Sequence, residues 1–337
     1  MDLNILWFIL IVVLFTGFFF LEGFDYGVGS LVPFLSKDDT KRRMALRSIL
    51  PFWDGNEVWM ITAGGAAFAA FPNLYATMFS TFYLALFLML VALILRGVAF
   101  ELRDKHPSLA WRRGWDWAIC FGSAVPALLW GVAVTDLIKG LPINGHMVYL
   151  GGFWDLLSLY SIIGGLAFLF VFLFHGAAFL AIRLRDDKLM RRVQSLGRRM
   201  GALAIVFFVL CMILTRAYTD LYQSLLAAVA LFLAALVFVI GYASFVKQIY
   251  KRAFVLSSLA IVFTTVAFFA GLFPRLMVSS FDKAYSLTIY NASSSPYTLS
   301  VMTIAAVCFV PVVLLYQAWS YHTFRKRVKP KHVKESY

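Results

Sequence analysis

The chain has 337 residues, of which 62% are hydrophobic and 14% charged, and its mean hydropathy is +0.82. Water-soluble domains run nearer half apolar and a quarter charged, so this composition excludes a soluble fold and describes an all-α integral membrane protein. A net charge of +13 would ordinarily point to nucleic acid, but in a bilayer protein cations are distributed by topology, and that reading is tested first.

Taken in chain order, nine apolar segments are long enough to cross a hydrocarbon core of about 30 Å. They fall at 5–35, 53–71, 78–100, 115–135, 157–182, 200–214, 223–246, 254–273 and 298–322. Residues 1–4 lack cations and the apolar run continues far beyond a signal sequence, so the first segment reads as a retained span. Of the 30 lysines and arginines, 25 lie in alternate connections and the C-terminal tail; the opposite side carries only Lys139, Arg216, Arg275 and Lys283. The bias places the N-terminus outside and the C-terminus in the cytoplasm, and an odd number of spans agrees. Orientation therefore accounts for the charge, leaving the lipid bilayer, anionic lipid included, as the partner and no role for nucleic acid.

The longest outside connections divide the single membrane domain into a four-helix bundle at 1–150, a second at 151–273, an outside loop at 274–297, and a peripheral ninth helix with a basic cytoplasmic tail at 298–337. Cys120, Cys211 and Cys308 sit in separate spans without CxxC spacing, which gives no zinc or iron-sulfur signature. The run Ala63-Gly64-Gly65-Ala66-Ala67 suits close helix approach and predicts a buried helix.

The first two spans carry four carboxylates: Glu22 and Asp25, then Asp54 and Glu57. A carboxylate at bilayer depth costs about 2.5 kcal/mol or more on insertion scales, so within a span it signals function. Each pair is spaced i, i+3, which puts both members on one helix face. In a continuous helix Asp25 lies about 18 Å and Glu22 about 22 Å from the cytoplasmic end. Gly23, Gly27 and Gly29 either unwind the helix there or admit a neighbour. Asp54-x-x-Glu57 also reads as a capping box at a helix start, a role compatible with collecting protons. Trp53 and Trp59 read as interface anchors. Arg96 either snorkels to the cytoplasmic surface, the favoured course, or pairs with Glu22 or Asp25. His175 stands alone among the spans, whereas bis-histidine haem ligation needs facing pairs, so a buried hydrogen bond or a subunit contact is expected of it. No Walker, GxSxG, HExxH or dinucleotide-binding motif is present.

The strings LEGFDYGVGSLVPFL, PFWDGNEVWMITAGGAAFAAFP, LRGVAFELR, FHGAAFLA and SLTIYNASSSPYTL closely resemble subunit II of the cytochrome bd-type quinol oxidases, nearly end to end. The resemblance implies a multi-pass subunit of the bacterial cytoplasmic membrane, in a complex that oxidises quinol and reduces dioxygen to water without copper. It implies that haem b and haem d are held by a partner, subunit I, with none ligated by this chain, and that a small accessory membrane subunit is compatible with the assembly. It further implies that Asp25 and Asp54 line a proton route from the cytoplasm, with Trp53 supporting Asp54 and Glu22 and Glu57 as further members. Two other classes fit the same acids: a proton-coupled secondary transporter, and a purely structural subunit in which the acids cap and pack helices.

Overall fold

The computed structural model describes residues 2–328. Its eleven α-helices are α1 (Leu3–Leu35), α2 (Asp39–Ile49), α3 (Trp53–Ala70), α4 (Pro72–Thr81), α5 (Tyr83–Leu102), α6 (Leu109–Lys139), α7 (Leu159–Arg183), α8 (Asp187–Tyr218), α9 (Leu225–Val246), α10 (Tyr250–Leu272) and α11 (Pro296–Thr323). Among the described residues eight helices are long and apolar enough to cross a membrane: α1, α5 with its trailing turn, and α6 to α11. The expected nine differ by α3, an 18-residue helix whose polar start, with Asp54, Asn56 and Glu57, lowers its mean apolarity. Lys329, Lys331 and Lys334 of the expected basic tail lie outside the described residues.

α1 is the axis of the molecule and packs against α3, α6, α7 and α10. It stays helical through Gly23, Gly27 and Gly29, so these glycines admit neighbours rather than unwind. A Cβ on Gly27 would stand 1.9 Å from the Phe172 carbonyl oxygen, and one on Gly176 would stand 2.5 Å from the Gly27 carbonyl carbon. Backbone therefore meets backbone where α1 crosses α7, the approach that small residues permit in membranes. Gly27→Ala is expected to cost about 1–3 kcal/mol, the usual penalty of overpacking, and to lower the melting temperature of the detergent-solubilised protein. A variant melting with the wild type would mean the crossing relaxes freely.

On the cation-rich side, α2 is held by buried ion pairs rather than by apolar packing alone. Asp116 of α6 accepts from Nε of Arg103 at 2.7 Å and pairs with the Arg42 guanidinium, whose Nε lies 2.7 Å away, while Asp39 accepts from Arg103 at 2.6 Å and Arg112 at 2.9 Å. These bonds tie the end of α5 and the start of α6 to the connection after α1. At the opposite side the connecting loops pair with each other. Strand β1 (Arg275–Met277) runs antiparallel to β2 (Leu287–Thr288), and the Ser280 N–H donates to the Leu141 carbonyl. Arg275 forks onto Asp220 with two hydrogen bonds of 2.8 Å, which hold the Asp220 carboxyl below its ordinary range. Ser294 donates from its N–H to the Ala70 carbonyl and from its hydroxyl to that of Ala69, closing the end of α3.

α11 lies at the periphery, with Leu299 its only buried residue. The small-residue run of α3 is buried on one side only. Ala63 and Ala67 are inside, whereas a Cβ on Gly64 or Gly65 would meet nothing, so the helix expected to be buried is buried within this chain on one side only. Within the described residues α1 is the main partner of that helix, with α4 and α11 also against it, and the Gly64-Gly65 side is left open.

Candidate functional site: a buried carboxylate cluster

Where α1, α3, α5 and α11 come together, the acids of the first two spans converge. Glu22 and Asp25 on α1 are fully buried and face the first turns of α3. Arg96, one of the largest buried side chains, enters from α5. Its Nη1 donates to Oε1 of Glu22 and, at 2.8 Å, to Oε1 of Glu57. Its guanidinium carbon lies 4.9 Å from the ring centre of Tyr26, 5.6 Å from Phe100 and 5.8 Å from Trp53. Such an aromatic enclosure stabilises a cation withdrawn from water, and the two carboxylates supply the countercharge. Snorkelling is thereby overturned: Arg96 is completely buried, because two acids in reach bind it more strongly than a long excursion to the surface would.

Asp25 has a different neighbour. Its Oδ2 accepts from Nδ2 of Asn56 at 2.6 Å, and among the described residues no cation lies within ion-pair distance of it. The Oδ1 of Asn56 accepts from the Tyr321 hydroxyl at 2.9 Å and from Nε2 of Gln317 at 3.2 Å, both on α11. This fixes the amide: with Oδ1 taken by two donors, its NH₂ turns to Asp25. The second oxygens of Glu22 and Asp25, Oε2 and Oδ1, have no donor among the described residues, so each can carry a proton.

Of the four predicted acids, the structure thus brings together Glu22, Asp25 and Glu57 and leaves Asp54 exposed in the first turn of α3. The capping box is corrected. Phe52 is the N-cap and makes no side-chain cap bond, Asp54 stands inside the helix at its second position, and Glu57 turns to Arg96 instead. Trp53 lies on Phe100, with ring centres 4.8 Å apart, and over Arg96, so its visible contacts are with the cation rather than with Asp54.

His175 is buried where α7 meets α1 and α10. Nδ1 lies 2.7 Å from the Ser257 hydroxyl, Nε2 lies 3.3 Å from the Phe20 carbonyl, and the ring stacks on Phe254 at 4.6 Å. Both nitrogens are occupied, so His175 offers no free axial ligand and the residues present do not fit a haem. Among the described residues no three histidine, cysteine or acidic side chains converge as a metal site.

The residues that sequence reasoning missed are Asn56, Gln317 and Tyr321. Asn56 carried a signal, being a polar residue between two acids in WDGNEV at the start of an apolar span. The α11 pair carried none, since its role depends on contact with a residue some 260 positions away.

Comparison with known proteins agrees with this architecture. Residues 3–324 match the family model described as cytochrome bd terminal oxidase subunit II. The chain is 41% identical over 333 residues to the cytochrome bd ubiquinol oxidase subunit 2 of Bacillus subtilis, covering 98% of each protein. It is 35% identical over 371 residues to the cytochrome bd-I ubiquinol oxidase subunit 2 of Escherichia coli K12, covering 99% of this chain and 97% of that protein. In fold it is similar to a chain of the bd oxidase from Geobacillus thermodenitrificans, with a TM-score of 0.78 at 18% identity, covering 97% of this chain and all of the other. With a family model spanning nearly every described residue, and whole-length relatives at these identities, the chain belongs to the cytochrome bd terminal oxidase subunit II family.

Proposed function

We propose that this chain is the subunit of a bacterial quinol:oxygen oxidoreductase that binds no haem, and that it brings cytoplasmic protons toward a haem-bearing partner, subunit I. Family membership carries the oxidase assignment, and the buried polar chain from Asp25 of α1 through Asn56 of α3 to α11 carries the proton role. Reduction of dioxygen to water consumes protons, and drawing them from the cytoplasm while quinol releases its own outside generates a proton motive force. In this reading the chain crosses the inner membrane nine times, α3 included, as two four-helix bundles with α11 outside them. Asp54 is the mouth of the route and Asp25 its buried relay. Glu22 and Glu57 are locked to Arg96 and set the local field, whereas Asp25 can gain or lose a proton without breaking an ion pair. The open Gly64-Gly65 face of α3 supports close approach by a helix of the partner.

A second reading has its own support. The clasp of Arg96 between α1 and α3 resembles a structural lock, in which the acids hold helices and the partner does all the chemistry. Purification of the tagged chain in mild detergent tests the assignment. The expected result is co-elution with a larger membrane subunit whose optical spectrum shows haem b and haem d. A chain that elutes alone, and that supports proton-coupled solute flux in vesicles, would make it a transporter instead.

A further inference from the structure

We infer that the chain carries a specific site for one anionic glycerophospholipid, in a notch between the C-terminal end of α1 and the first turns of α6. The notch encloses about 260 Å³ and is lined by Lys37, Arg42, Arg113, Asp116 and Trp117, with Pro33 and Ser36 of the α1 end. Its inner wall is charge-balanced: Arg42 is almost fully buried, is ion-paired with Asp116 and Asp39, and donates to the carbonyls of Ser36 and Lys37, so the Asp116 charge is already countered. Its rim is not. Lys37 and Arg113 are exposed, and among the described residues neither has a carboxylate within ion-pair distance, although the arginines around them are paired.

Below that rim the face of α6 changes character in single-turn steps. Arg113, Trp117 and Phe121 follow one another at i, i+4 and i+8, so they form one column along the helix. Trp117 is 44% and Phe121 58% exposed, and their rings stack at 5.7 Å. Phe34 of α1 closes the column edge-on against Trp117 at 5.4 Å, and Arg192 of α8 donates to the Phe34 carbonyl behind it. The indole N–H of Trp117 has no acceptor among the described residues. From the surface inward, the column presents two unpaired cations, an amphipathic ring with a free donor, and an apolar ring. That order matches a phosphodiester, an ester carbonyl and an acyl chain. Basic pockets at the cytoplasmic ends of membrane helices suit anionic headgroups, and the flanking apolar rings favour a lipid over a free anion.

The test uses the protein purified in mild detergent with its co-purifying subunit, delipidated and titrated with phosphatidylglycerol, with phosphatidylcholine of the same acyl chains, and with inorganic phosphate. Retained lipid is counted by native mass spectrometry. Wild type is expected to retain one phosphatidylglycerol under conditions that strip phosphatidylcholine. Lys37→Gln combined with Arg113→Gln should weaken retention about 30-fold, the factor expected of two near-surface cations. Lys251→Gln, on an exposed cation at the start of α10, should leave it unchanged. Neither rim residue makes an ion pair, so the double variant should keep its melting temperature in lipid-free detergent. The inference is overturned by equal retention in the double variant, by equal retention of phosphatidylcholine, by equal weakening in Lys251→Gln, or by inorganic phosphate displacing the lipid at matched concentration. The last outcome would assign the notch to a free anion.

Discussion

Arg96→Ala is expected to abolish assembly of the protein or to destabilise it by about 3–5 kcal/mol, the cost of leaving buried charges uncompensated. The reason is geometric: one guanidinium nitrogen serves Glu22 from α1 and Glu57 from α3, and both acids lose their partner together. The aromatic enclosure of Tyr26, Trp53 and Phe100 would close on a cavity lined by carboxylates. Yield of the folded chain and its melting temperature in detergent measure the effect. Arg96→Lys should recover only part of it, because an ammonium on a flexible stem cannot match the planar fork and its stacking. Combining Arg96→Gln with Glu22→Gln and Glu57→Gln should recover more than Arg96→Gln alone retains, since the orphaned charges are removed with the cation. A melting temperature for Arg96→Ala equal to that of the wild type would mean the clasp contributes no stability.

Sequence reasoning reached some of these features and missed others for physical reasons. The long spans are legible because crossing lipid demands about twenty consecutive apolar residues, a signal that α1 and α5 to α11 carry locally. α2 was not legible. Its string DTKRRMALRSI looks like a charged connection, and Arg42 and Arg43 become buried only because Asp116 and Asp104 come to meet them from α6 and the turn after α5. The acids Glu22, Asp25 and Glu57 stood out because ions in an apolar run are costly, yet the choice between pairing and snorkelling for Arg96 was not decidable. It depends on where α5 stands relative to α1, which no local pattern encodes. Asn56 was overlooked for a different reason. Attention to ionisable groups passes over a neutral amide, although such a group satisfies a buried carboxylate without committing it to an ion pair.

That distinction sets the expected behaviour of Asp25→Asn. The substitution keeps the shape of the side chain, and its amide oxygen can still accept from Asn56 Nδ2, so folding, haem content of the assembled complex and the contact with Tyr321 should persist. What disappears is a protonatable group without a cation partner, at the α1 end of a polar chain that runs through Asn56 of α3 to Gln317 and Tyr321 of α11. Loss of a group that transfers protons costs about 10²-fold or more, and quinol-driven oxygen consumption should fall on that scale. Glu22→Gln should behave in the opposite manner. It removes one of the two countercharges of Arg96, so stability and assembly should suffer first, with turnover per assembled complex less affected. Asp25→Glu, which restores a protonatable group one methylene longer, should recover part of the lost turnover. If Asp25→Asn retained wild-type turnover at wild-type haem content, Asp25 would leave the route and the clasp at Arg96 would stand as a purely structural device. A selective fall in turnover, with the melting temperature unchanged, is a result that packing alone cannot produce, because the variant preserves volume, burial and the bond from Asn56 while removing the ionisable group.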